Sequence, residues 1–580
     1  KGMPGTSNKT AAATASSGLT VTYASTTTAV CTATGAGVIT LVTVGTCSIT
    51  ASQAGNANFV AATSVVRAFS VTQAATATTV ASSRNPSAFG QSVTFTARVR
   101  ATTGSAAPTG TVTITDTTTS AAIGTPALTP VTQVKLSAGG SHTCSVGSDG
   151  GVSCWGFNQD GQLGDGSTTT RLTPVPVSGL SSGIAAVAAG GRHTLARTTA
   201  GAVLCWGNNS AGQIGDGTFL NNRLTPTPVT GLSSGVTAIA TGGNHSCALK
   251  TTGALVCWGF NGNGQIGDGT SSNNRLTPVP VVGLSGGVAA VSLGGLHSCA
   301  LTNAGAALCW GFNLNGRVGD GTTTNRLTPV QVSGLSSGVA AIAAGTNAHS
   351  CAVTTAGAVK CWGINFSGQL GDGTLVDRFA PVAVPSLSSG VASVAAGGSH
   401  SCAVTTAGAA RCWGGNGVGQ LGDGTISPNR LTPVGVVGLS SGTAAVALPN
   451  GGYGCALTTA GAVRCWGLND NGEFGDGTTN GSLTPVAARH PGASLASVAT
   501  SGLTAGAHAI RASYAGTTRF AASTSPLLTQ TVNKAANVIT FPALANTAFA
   551  TAAPVPAATA SSGLAVTYAS TTAAVCTATG

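Results

Sequence analysis

The tripeptide Cys-Trp-Gly occurs seven times in the chain, and these copies contain all seven tryptophans. Successive copies are 51, 52, 52, 52, 51 and 53 residues apart. Each unit carries four short apolar runs, approximately VAAVAAGG, HSCAL, AVxCWG and LTPVPV. Four strands per unit of about 50 residues are typical of propeller blades, so the repeats predict a seven-bladed β-propeller over residues 131–490. The tryptophans are Trp155, Trp206, Trp258, Trp310, Trp362, Trp413 and Trp466.

The same units carry a longer pattern: His-x-Cys-Ala-Leu-Thr, then Gly-x-Val, Trp-Gly and Gly-Gln-Leu-Gly. This pattern resembles the repeat of the regulator of chromosome condensation family. The resemblance implies seven blades closed into a ring, which leaves no sheet edge exposed. The founding member of that family is a nucleotide exchange factor for a small nuclear GTPase. A shared scaffold does not establish a shared function, so we do not expect guanine nucleotide exchange here.

Composition supports an all-β chain without a nucleic-acid partner or a membrane span. Only 6% of residues are charged, 85 are glycine, and no segment has the 3.6-residue periodicity of an amphipathic helix. The net charge of +11 is scattered along the chain without a basic run, so we expect no nucleic-acid partner. No apolar stretch is long enough to predict a membrane span.

The spacing of the cysteines predicts disulfides. Six units place one cysteine ten residues before another, with a tight turn between them. Opposed residues of an antiparallel hairpin lie within disulfide range. Cys31 and Cys47 are a further predicted bridge. Disulfides indicate an oxidising compartment, so we expect an extracellular or bacterial cell-surface location. The six repeated pairs are Cys144 and Cys154, Cys247 and Cys257, Cys299 and Cys309, Cys351 and Cys361, Cys402 and Cys412, and Cys455 and Cys465.

A zinc site formed by His-x-Cys and the later cysteine is the alternative interpretation. Unit two keeps His193 but has Leu195 in place of the first cysteine, which leaves Cys205 as a lone thiol. Unit seven keeps both cysteines but has Tyr453 in place of the histidine. Ligands of one ion should not vary independently, so we expect no metal.

The repeated histidines are predicted to be structural. Each occupies the same place in a different blade, so they should not converge on one substrate. We expect each imidazole to hydrogen-bond the backbone of its own blade. The set is His142, His193, His245, His297, His349 and His400.

Every unit contains Gly-Asp-Gly, and six units follow it with an arginine. An Asp-to-Arg ion pair, or an aspartate that accepts turn N–H groups, explains this pattern. Calcium binding by these aspartates is the alternative interpretation, but their spacing does not fit an EF-hand loop. The aspartates are Asp165, Asp216, Asp268, Asp320, Asp372, Asp423 and Asp476, and the arginines are Arg171, Arg223, Arg275, Arg326, Arg378 and Arg430.

The flanking segments resemble bacterial immunoglobulin-like modules. Residues 76–130 contain strand patterns for the first half of such a domain, and residues 491–532 contain the second half. Neither segment is long enough to bury a core alone, so we predict one split sandwich with the propeller inserted. An accidental joining of unrelated segments is the alternative. Residues 1–75 resemble a further, N-terminally incomplete module, and residues 533–580 the start of another.

The two ends of the chain repeat each other: AATASSGL at residue 12 returns at residue 557. We therefore expect a fragment of a longer repetitive protein. Cys576 corresponds to Cys31 in this repeat.

Catalytic motifs are missing from the sequence, which has a single glutamate, Glu473. We expect no enzyme activity and no cofactor. Two stretches of the long loop in each blade vary between units, one after Trp-Gly and one after Gly-Asp-Gly-Thr. Apolar residues in these otherwise polar loops predict a binding face, although those after Trp-Gly are also suited to filling gaps between blades. The candidate residues are Phe219, Leu220, Leu375, Val376, Ile426, Leu314 and Phe366.

These features predict an extracellular bacterial protein whose propeller binds a protein or a glycan, as an adhesion module on an immunoglobulin-like stalk. Two alternatives remain open: a purely structural surface spacer, and an inhibitor of a secreted enzyme, as in the similarly folded β-lactamase inhibitory proteins.

Overall fold

The computed structural model describes residues 9–102, 106–347, 349–449, 451–490, 492–546 and 555–572, with residues 575, 577 and 578. Within these residues the only helix is a 3-10 turn at Pro385–Leu387, and all other regular structure is strand. The all-β class is therefore confirmed. The chain divides into two compact units, one of Lys1–Thr102, Pro108–Thr129 and Ala493–Gly580, the other of Thr103–Ala107 and Pro130–Gly492. No helix of the described part is long and apolar enough to cross a bilayer.

The N-terminal segment forms two small sheets, in the orders β1-β4-β3 and β2-β5-β6. The Cys31–Cys47 disulfide lies in the core between them, with Ile39, Leu41 and Val71. The strands are β1 (Lys9–Thr10), β2 (Thr22–Ser25), β3 (Cys31–Ala33), β4 (Val38–Leu41), β5 (Gly45–Gln53) and β6 (Ala62–Val71).

Six strands follow before the repeats begin. Strict alternation of buried and half-buried residues along VTFTARVRA makes β9 a two-sided strand with one face in a core. The strands are β7 (Thr76–Ser82), β8 (Ser87–Ala88), β9 (Val93–Ala101), β10 (Val112–Asp116), β11 (Ala121–Gly124) and β12 (Thr129–Pro130).

The repeats form seven antiparallel four-stranded sheets, each with its strands in sequence order. Blades 1 to 4 consist of β13 (Gln133–Ala138), β14 (His142–Gly147), β15 (Val152–Gly156), β16 (Arg171–Pro176), β17 (Ile184–Ala189), β18 (His193–Thr198), β19 (Val203–Gly207), β20 (Arg223–Pro228), β21 (Val236–Thr241), β22 (His245–Lys250), β23 (Leu255–Gly259), β24 (Arg275–Pro280), β25 (Val288–Leu293), β26 (His297–Thr302), β27 (Ala307–Gly311) and β28 (Arg326–Gln331). Blades 5 to 7 consist of β29 (Val339–Ala344), β30 (His349–Thr354), β31 (Val359–Gly363), β32 (Arg378–Ala383), β33 (Val391–Ala396), β34 (His400–Thr405), β35 (Ala410–Gly414), β36 (Arg430–Gly435), β37 (Thr443–Ala447), β38 (Tyr453–Thr458), β39 (Val463–Gly467) and β40 (Ser482–Ala487).

The structure contains the predicted disulfides of the propeller. In blade 3, for example, Cys247 lies directly opposite Cys257 across the β22–β23 hairpin, with their Cα atoms 4.1 Å apart. The other five pairs are equivalent. In blade 2, Leu195 takes the place of a cysteine opposite Cys205, which is a free, buried thiol. Burial raises the pKa of this thiol well above its usual value, so it stays protonated and unreactive.

Each disulfide packs against the tryptophan of the next blade. The Cys144–Cys154 bridge shares a core with Leu163, Ile184 and Trp206 of the neighbouring repeat. All seven tryptophans are fully buried. The hydrophobic core of the ring therefore lies between blades rather than within them, and one blade alone has no core to bury.

The histidines link neighbouring blades, which corrects the prediction that each bonds its own backbone. His142 Nε2 lies 2.9 Å from the Thr194 hydroxyl of the next blade. Four more links repeat this geometry, His193 to Ser246, His245 to Ser298, His297 to Ser350 and His349 to Ser401. We call these five contacts the histidine links. His400 has no such partner hydroxyl, because Gly454 stands at the position of the serine.

The hydroxyl of each link donates onward, which fixes the histidine tautomer. Ser298 Oγ donates to the carbonyl oxygen of Gln265 at 2.8 Å. Its proton is thus committed, so His245 Nε2 must be the donor to Ser298. Burial lowers the pKa of His245 and His349 to about 3 and that of His142 to about 4. These imidazoles are neutral Nε2–H groups at any physiological pH.

Tyr453 closes the ring between the last blade and the first. Its hydroxyl lies 2.9 Å from the carbonyl oxygen of His142 and 3.2 Å from that of Gly139. His490 adds a second contact: its ring packs edge-on against Trp155 at 5.1 Å, and Nε2 lies 2.9 Å from Ser145 Oγ. In the seventh unit a tyrosine therefore replaces the histidine and links the last blade to the first by a different contact.

The strands before and after the propeller share two sheets. The C-terminal strands are β41 (Ala493–Thr500), β42 (Gly506–Tyr514), β43 (Ser523–Thr524) and β44 (Leu528–Asn533). One sheet has the order β12-β41-β9-β7. The other has the order β11-β10-β42-β44-β8, with β43 also paired to β42. The chain thus leaves this region through β12 and returns through its hydrogen-bonded neighbour β41.

A buried ion pair joins the two halves of this region. His508 Nδ1, on β42, lies 2.7 Å from Asp116 Oδ2, at the end of β10. Burial opposes the charge on both groups and is the largest single influence on each pKa, but the hydrogen bonds of each group together outweigh it. The bonds from His508, Thr118 and Thr119 place the pKa of Asp116 below its usual value. The Thr504 carbonyl and the Asp116 carboxylate, which both accept from the His508 ring, raise the pKa of His508.

The last described strands are β45 (Ile539–Thr540) and β46 (Thr559–Ala560), which form a two-stranded sheet. Cys576 lies outside the described residues.

Replacing Leu195 with cysteine is expected to create one more hairpin disulfide, because Leu195 and Cys205 face each other at the register of the six existing pairs. Closing this short loop should make L195C more stable than the matched variant L195S by about 2 to 3 kcal/mol. Denaturant unfolding followed by tryptophan fluorescence measures this difference, since all tryptophans lie in the propeller. Alkylation of Cys205 in folded or unfolded L195C under non-reducing conditions would contradict the prediction.

The His508–Asp116 ion pair predicts that the stability of the flanking sheets depends on pH. A raised histidine pKa stabilises the fold below the unfolded pKa of about 6.5, and this contribution is lost as pH rises through the folded pKa. The lowered pKa of Asp116 limits this stabilisation at acid pH, because its contribution falls once the pH drops below the unfolded pKa of about 3.8. Hydrogen–deuterium exchange of β10 and β42 should therefore differ between wild type and His508→Gln more at about pH 5.5 than at about pH 8.5. An equal difference at both pH values would show that the pair is not charged.

The propeller, in contrast, is expected to lose stability in mild acid. Its buried histidines have lowered pKa values, so the unfolded chain binds protons that the folded chain excludes. Their contribution is complete above about pH 6.5 and falls as pH drops toward the folded values. Each histidine adds up to about 1.4 kcal/mol per pH unit. His349→Gln should reduce this slope by up to that amount, and an unchanged slope would contradict the assignment. Urea unfolding monitored by tryptophan fluorescence provides the measurement.

Candidate binding face of the propeller

The loop between the third and fourth strands of each blade, here called the long loop, carries all seven candidate residues. In blade 1 it covers residues 157–170. The Gly-Gly turns between the first and second strands come near the start of these loops. Together they line a cavity of about 690 Å³, whose walls include Gly140, Gly191, Gly243, Phe157 and Arg192.

The Gly-Gly turns hold the inner ends of the blades together. Gly140 N donates to the carbonyl oxygen of Gly190 at 3.0 Å, and Gly191 N to that of Gly242 at 3.1 Å. A Cβ atom on Gly191 would collide with the backbone oxygen of Gly243. Only glycine therefore permits this close approach of one blade to the next. The cavity wall therefore combines glycine backbone with polar side chains such as Arg192, Asn208 and Asn244.

A buried asparagine organises every long loop, and the sequence analysis missed it. Asn158 Nδ2 donates to the carbonyl oxygens of Ser167 and Thr169, while its Oδ1 accepts from Leu163 N at 2.9 Å. The signal was present, because an asparagine stands two residues after Trp-Gly in all seven units. All seven are completely buried: Asn158, Asn209, Asn261, Asn313, Asn365, Asn416 and Asn469.

The Gly-Asp-Gly motif clamps the same loop from its other end. In blade 2, Asp216 Oδ1 accepts from Thr218 N at 3.0 Å, and Oδ2 accepts from Arg223 Nε at 2.8 Å. Burial alone would raise the aspartate pKa, but the bonds from Thr218 and Arg223 lower it. Both predicted roles of the aspartate therefore occur together. The ion pair is repeated in all units except the seventh, where Ser482 replaces arginine.

The candidate residues lie exposed on loops that are fixed in this way. Leu220 is 66% exposed, Leu375 54% and Val376 56%. Exposed apolar side chains on hydrogen-bonded loops lose little conformational freedom when a partner covers them. Blades 2, 4, 5 and 6 carry them. The remaining members of the set, Phe219, Leu314, Phe366 and Ile426, are exposed as well.

The residue directly after Trp-Gly behaves differently from the candidate set. Phe157, Phe260 and Phe312 are half-buried. The guanidinium of Arg192 lies over the Phe157 ring at 5.6 Å, and that of Arg317 over the Phe312 ring at 4.6 Å. The Phe157 ring is therefore covered on one face by a residue of the next blade, and the Phe312 ring by a residue of its own long loop. The predicted filling of gaps between blades fits Phe157, whereas Leu314 and Phe366, each two residues farther along its own loop, are exposed to solvent.

The chain matches the Regulator of chromosome condensation (RCC1) repeat in five copies, at residues 149–197, 200–249, 252–301, 304–353 and 356–404. A second description of the same repeat matches six shorter segments between residues 133 and 420.

Two relatives each match more than half of the chain. The ultraviolet-B receptor UVR8 of Arabidopsis thaliana is 32% identical over 347 residues, which are 59% of this chain and 78% of the receptor. The human E3 ubiquitin-protein ligase HERC2 is 33% identical over 352 residues, but these are only 7% of that protein.

Two solved structures share the fold. Human WBSCR16 superposes with a TM-score of 0.53 at 21% identity, covering 60% of this chain and 98% of that one. Prp20p of Saccharomyces cerevisiae superposes with a TM-score of 0.51 at 22% identity, covering 63% of this chain and 93% of that one. The repeats, their pairing into four-stranded blades and the extent of the match to UVR8 together show that this chain belongs to the regulator of chromosome condensation repeat family.

Proposed function

We propose that the propeller is a binding module that recognises an extracellular protein or glycan through its long loops and performs no catalysis. The observation that carries this proposal is the exposed apolar set Phe219, Leu220, Leu375, Val376, Ile426, Leu314 and Phe366. Each member sits on a loop whose base is fixed by a buried asparagine and, in blades 2, 4, 5 and 6, by an Asp–Arg ion pair. Apolar anchors on a rigid frame are the usual centre of a protein-binding surface.

The state of the repeated titratable groups supports a non-catalytic role. The histidine links hold five imidazoles buried and neutral, each engaged with a hydroxyl of the next blade. The paired cysteines supply no thiolate, and Cys205 is buried and protonated. The Gly-Asp-Gly aspartates accept from turn N–H groups in all seven blades and from arginine in six. These groups are therefore engaged in structural contacts.

An extracellular location is supported by the seven disulfides among the described residues. Disulfides persist in oxidising compartments and are rare where thiols are kept reduced. The flanking sheets support the further proposal of a bacterial surface protein with immunoglobulin-like modules as a stalk. UVR8 and HERC2 come from eukaryotes, so this part of the proposal rests on the flanks alone.

Structures of related propellers support a macromolecular partner. The study of Prp20p describes its binding properties to Gsp1p and histones, and another structure shows Kap60 bound to yeast RCC1. Those partners belong to those proteins. For this chain the supporting inference is only that a propeller of this kind presents enough surface to hold a second protein.

Changing Phe219, Leu220, Leu375 and Val376 to serine is expected to weaken binding by about tenfold or more, because each loses apolar contact area in the complex. The partner source is surface protein and cell-wall glycan extracts of bacteria and of host cells, captured on the immobilised whole chain. The affinity of the recovered partner is then measured by surface plasmon resonance for wild type and variant. Folding should be unaffected, since exposed positions outside special contacts change stability by less than about 0.5 kcal/mol.

Val282 and Val437 provide the matched control. They are 50% and 47% exposed, but they lie on connections from one blade to the next. Changing both to serine should leave affinity intact. Full affinity of the four-site variant would overturn the binding face. A wild-type chain that captures nothing would favour the structural spacer, and capture of a secreted enzyme with loss of its activity would favour the inhibitor.

A further inference from the structure

The cavity of the propeller has a cluster of long polar side chains in one sector of the ring, where blades 1, 2 and 3 meet. Arg192 directly precedes β18, Asn208 directly follows β19 and Asn244 directly precedes β22, and all three line the cavity. The cavity volume of about 690 Å³ lies in the range of about 300–1,000 Å³ that is usual for sites that hold small ligands. The size and the convergence of polar groups are those of a binding site.

A hydrogen-bond network holds these side chains in place. Asp160 of blade 1 accepts from Asn208 Nδ2 at 3.0 Å and from Arg192 Nη1 at 3.4 Å. Gln213 is completely buried, and its Nε2 donates to Asn208 Oδ1 at 2.8 Å and to Asn244 Oδ1 at 3.5 Å. The network therefore crosses two blade boundaries and sets the positions of the cavity side chains before a ligand enters.

The fold itself does not require this network. At the next boundary, between blades 3 and 4, Phe260 and Leu296 take the places of the two asparagines. Gln265 Nε2, the counterpart of the bridging Gln213 amide, is buried there without a hydrogen-bond partner in the described part of the chain. The propeller thus closes with apolar side chains at this boundary, so the amides of blades 2 and 3 are not needed to close the ring.

Hydrogen-bonding groups at the cavity are left over by the network. Among the described residues, Arg192 Nη2 and Asn244 Nδ2 donate to no acceptor, since the bonds of these side chains are those to Asp160 and from Gln213. Thr346 Oγ1 is a buried atom in the cavity lining, and it too has no partner in that part of the chain. A ligand rich in hydrogen-bonding groups would satisfy them.

The charges at the cavity indicate a neutral ligand. Arg192 is the one charged side chain among the described lining residues, and the carboxylate of Asp160 beside it carries the opposite charge. An asparagine side chain offers both a donor and an acceptor, as a sugar hydroxyl does. Phe157 adds an aromatic ring to the lining, against which the apolar face of a sugar ring can pack. A neutral saccharide matches both features.

We propose that this cavity binds a neutral saccharide. Arg192 and Asn244 donate to its hydroxyl groups, and Phe157 contacts the apolar face of a sugar ring. The inference rests on the proposed function, because it identifies the glycan that such a binding module recognises. The exposed apolar residues of the long loops are not among the residues that line the cavity. The saccharide site and the apolar binding face can therefore be tested separately.

The test is a titration of the whole chain with glucose, galactose, mannose and N-acetylglucosamine, followed by saturation-transfer NMR. Glucuronic acid serves as the charged counterpart. Wild type is expected to bind at least one neutral sugar, and to bind it more tightly than glucuronic acid. Changing Arg192 and Asn244 together to alanine removes donors to the sugar and should weaken binding by about tenfold or more. Both side chains are exposed, so the double variant should unfold in urea like wild type.

The matched control removes one arginine and one asparagine elsewhere on the propeller. Arg411→Ala with Asn273→Ala fits this purpose, because both residues are exposed and neither lines the cavity. This variant should bind sugar like wild type. The four-site serine variant of the long loops should also keep its sugar affinity, so loss of a macromolecular partner in that variant tests the proposed function on its own.

Three results would overturn the saccharide site. They are a wild type that binds none of the four neutral sugars, tighter binding of glucuronic acid than of any neutral sugar, and a double cavity variant whose affinity equals that of the control. If wild type binds no sugar but still captures a protein through the apolar face, the proposed function stands and the saccharide site falls.

The opposite result is equally informative. Sugar binding that is lost in the double cavity variant, in a chain whose four-site serine variant still holds its macromolecular partner, would support the saccharide site and overturn the apolar face.

Discussion

One carbonyl oxygen per blade holds the propeller together. In blade 3 the Gln265 oxygen accepts the indole N–H of Trp310 at 2.9 Å and the hydroxyl of Ser298 at 2.8 Å, both from blade 4. A carbonyl oxygen has two lone pairs, and both are used. The same Ser298 hydroxyl accepts a hydrogen bond from His245 of blade 3, so hydrogen bonds are donated across this boundary in both directions. At the closing boundary, the Glu473 oxygen accepts from Trp155 and Thr143 in the same way.

This carbonyl lies within the long loop, and its position explains why that loop can vary without loosening the ring. The base of the loop is fixed to the next blade through the tryptophan, while the buried asparagine and the aspartate–arginine pair shape the rest. Substitutions at exposed positions such as Leu220 or Val376 affect neither set of contacts. A surface that changes while its support stays constant is suited to selection for new partners. The same division explains why the six disulfides, which lie in the interblade cores, recur with unchanged spacing.

Features governed by local spacing could be predicted, and features that depend on contact between blades could not. The ten-residue interval between cysteines determines their opposition across a hairpin, so the disulfides followed from the sequence. The histidine links did not, because no spacing within a unit shows that the partner hydroxyl stands about 53 residues later, as from His245 to Ser298. For the same reason Tyr453 was interpreted only as a missing histidine, although it spans the closing junction. The asparagine of the long loop was predictable from its seven copies but was overlooked, since an asparagine in a glycine-rich stretch ordinarily indicates a turn. The immunoglobulin-like character of the flanks stays a prediction.

The pairing of β12 with β41 determines how the chain responds to tension. A pull between its ends is transmitted through the hydrogen-bonded sheets that flank the repeats, since the chain leaves and rejoins the same sheet at adjacent strands. The seven blades form a side branch outside this path and carry no load until those two strands separate. A stretched chain would therefore present an undistorted propeller, with its loops in the geometry they have at rest.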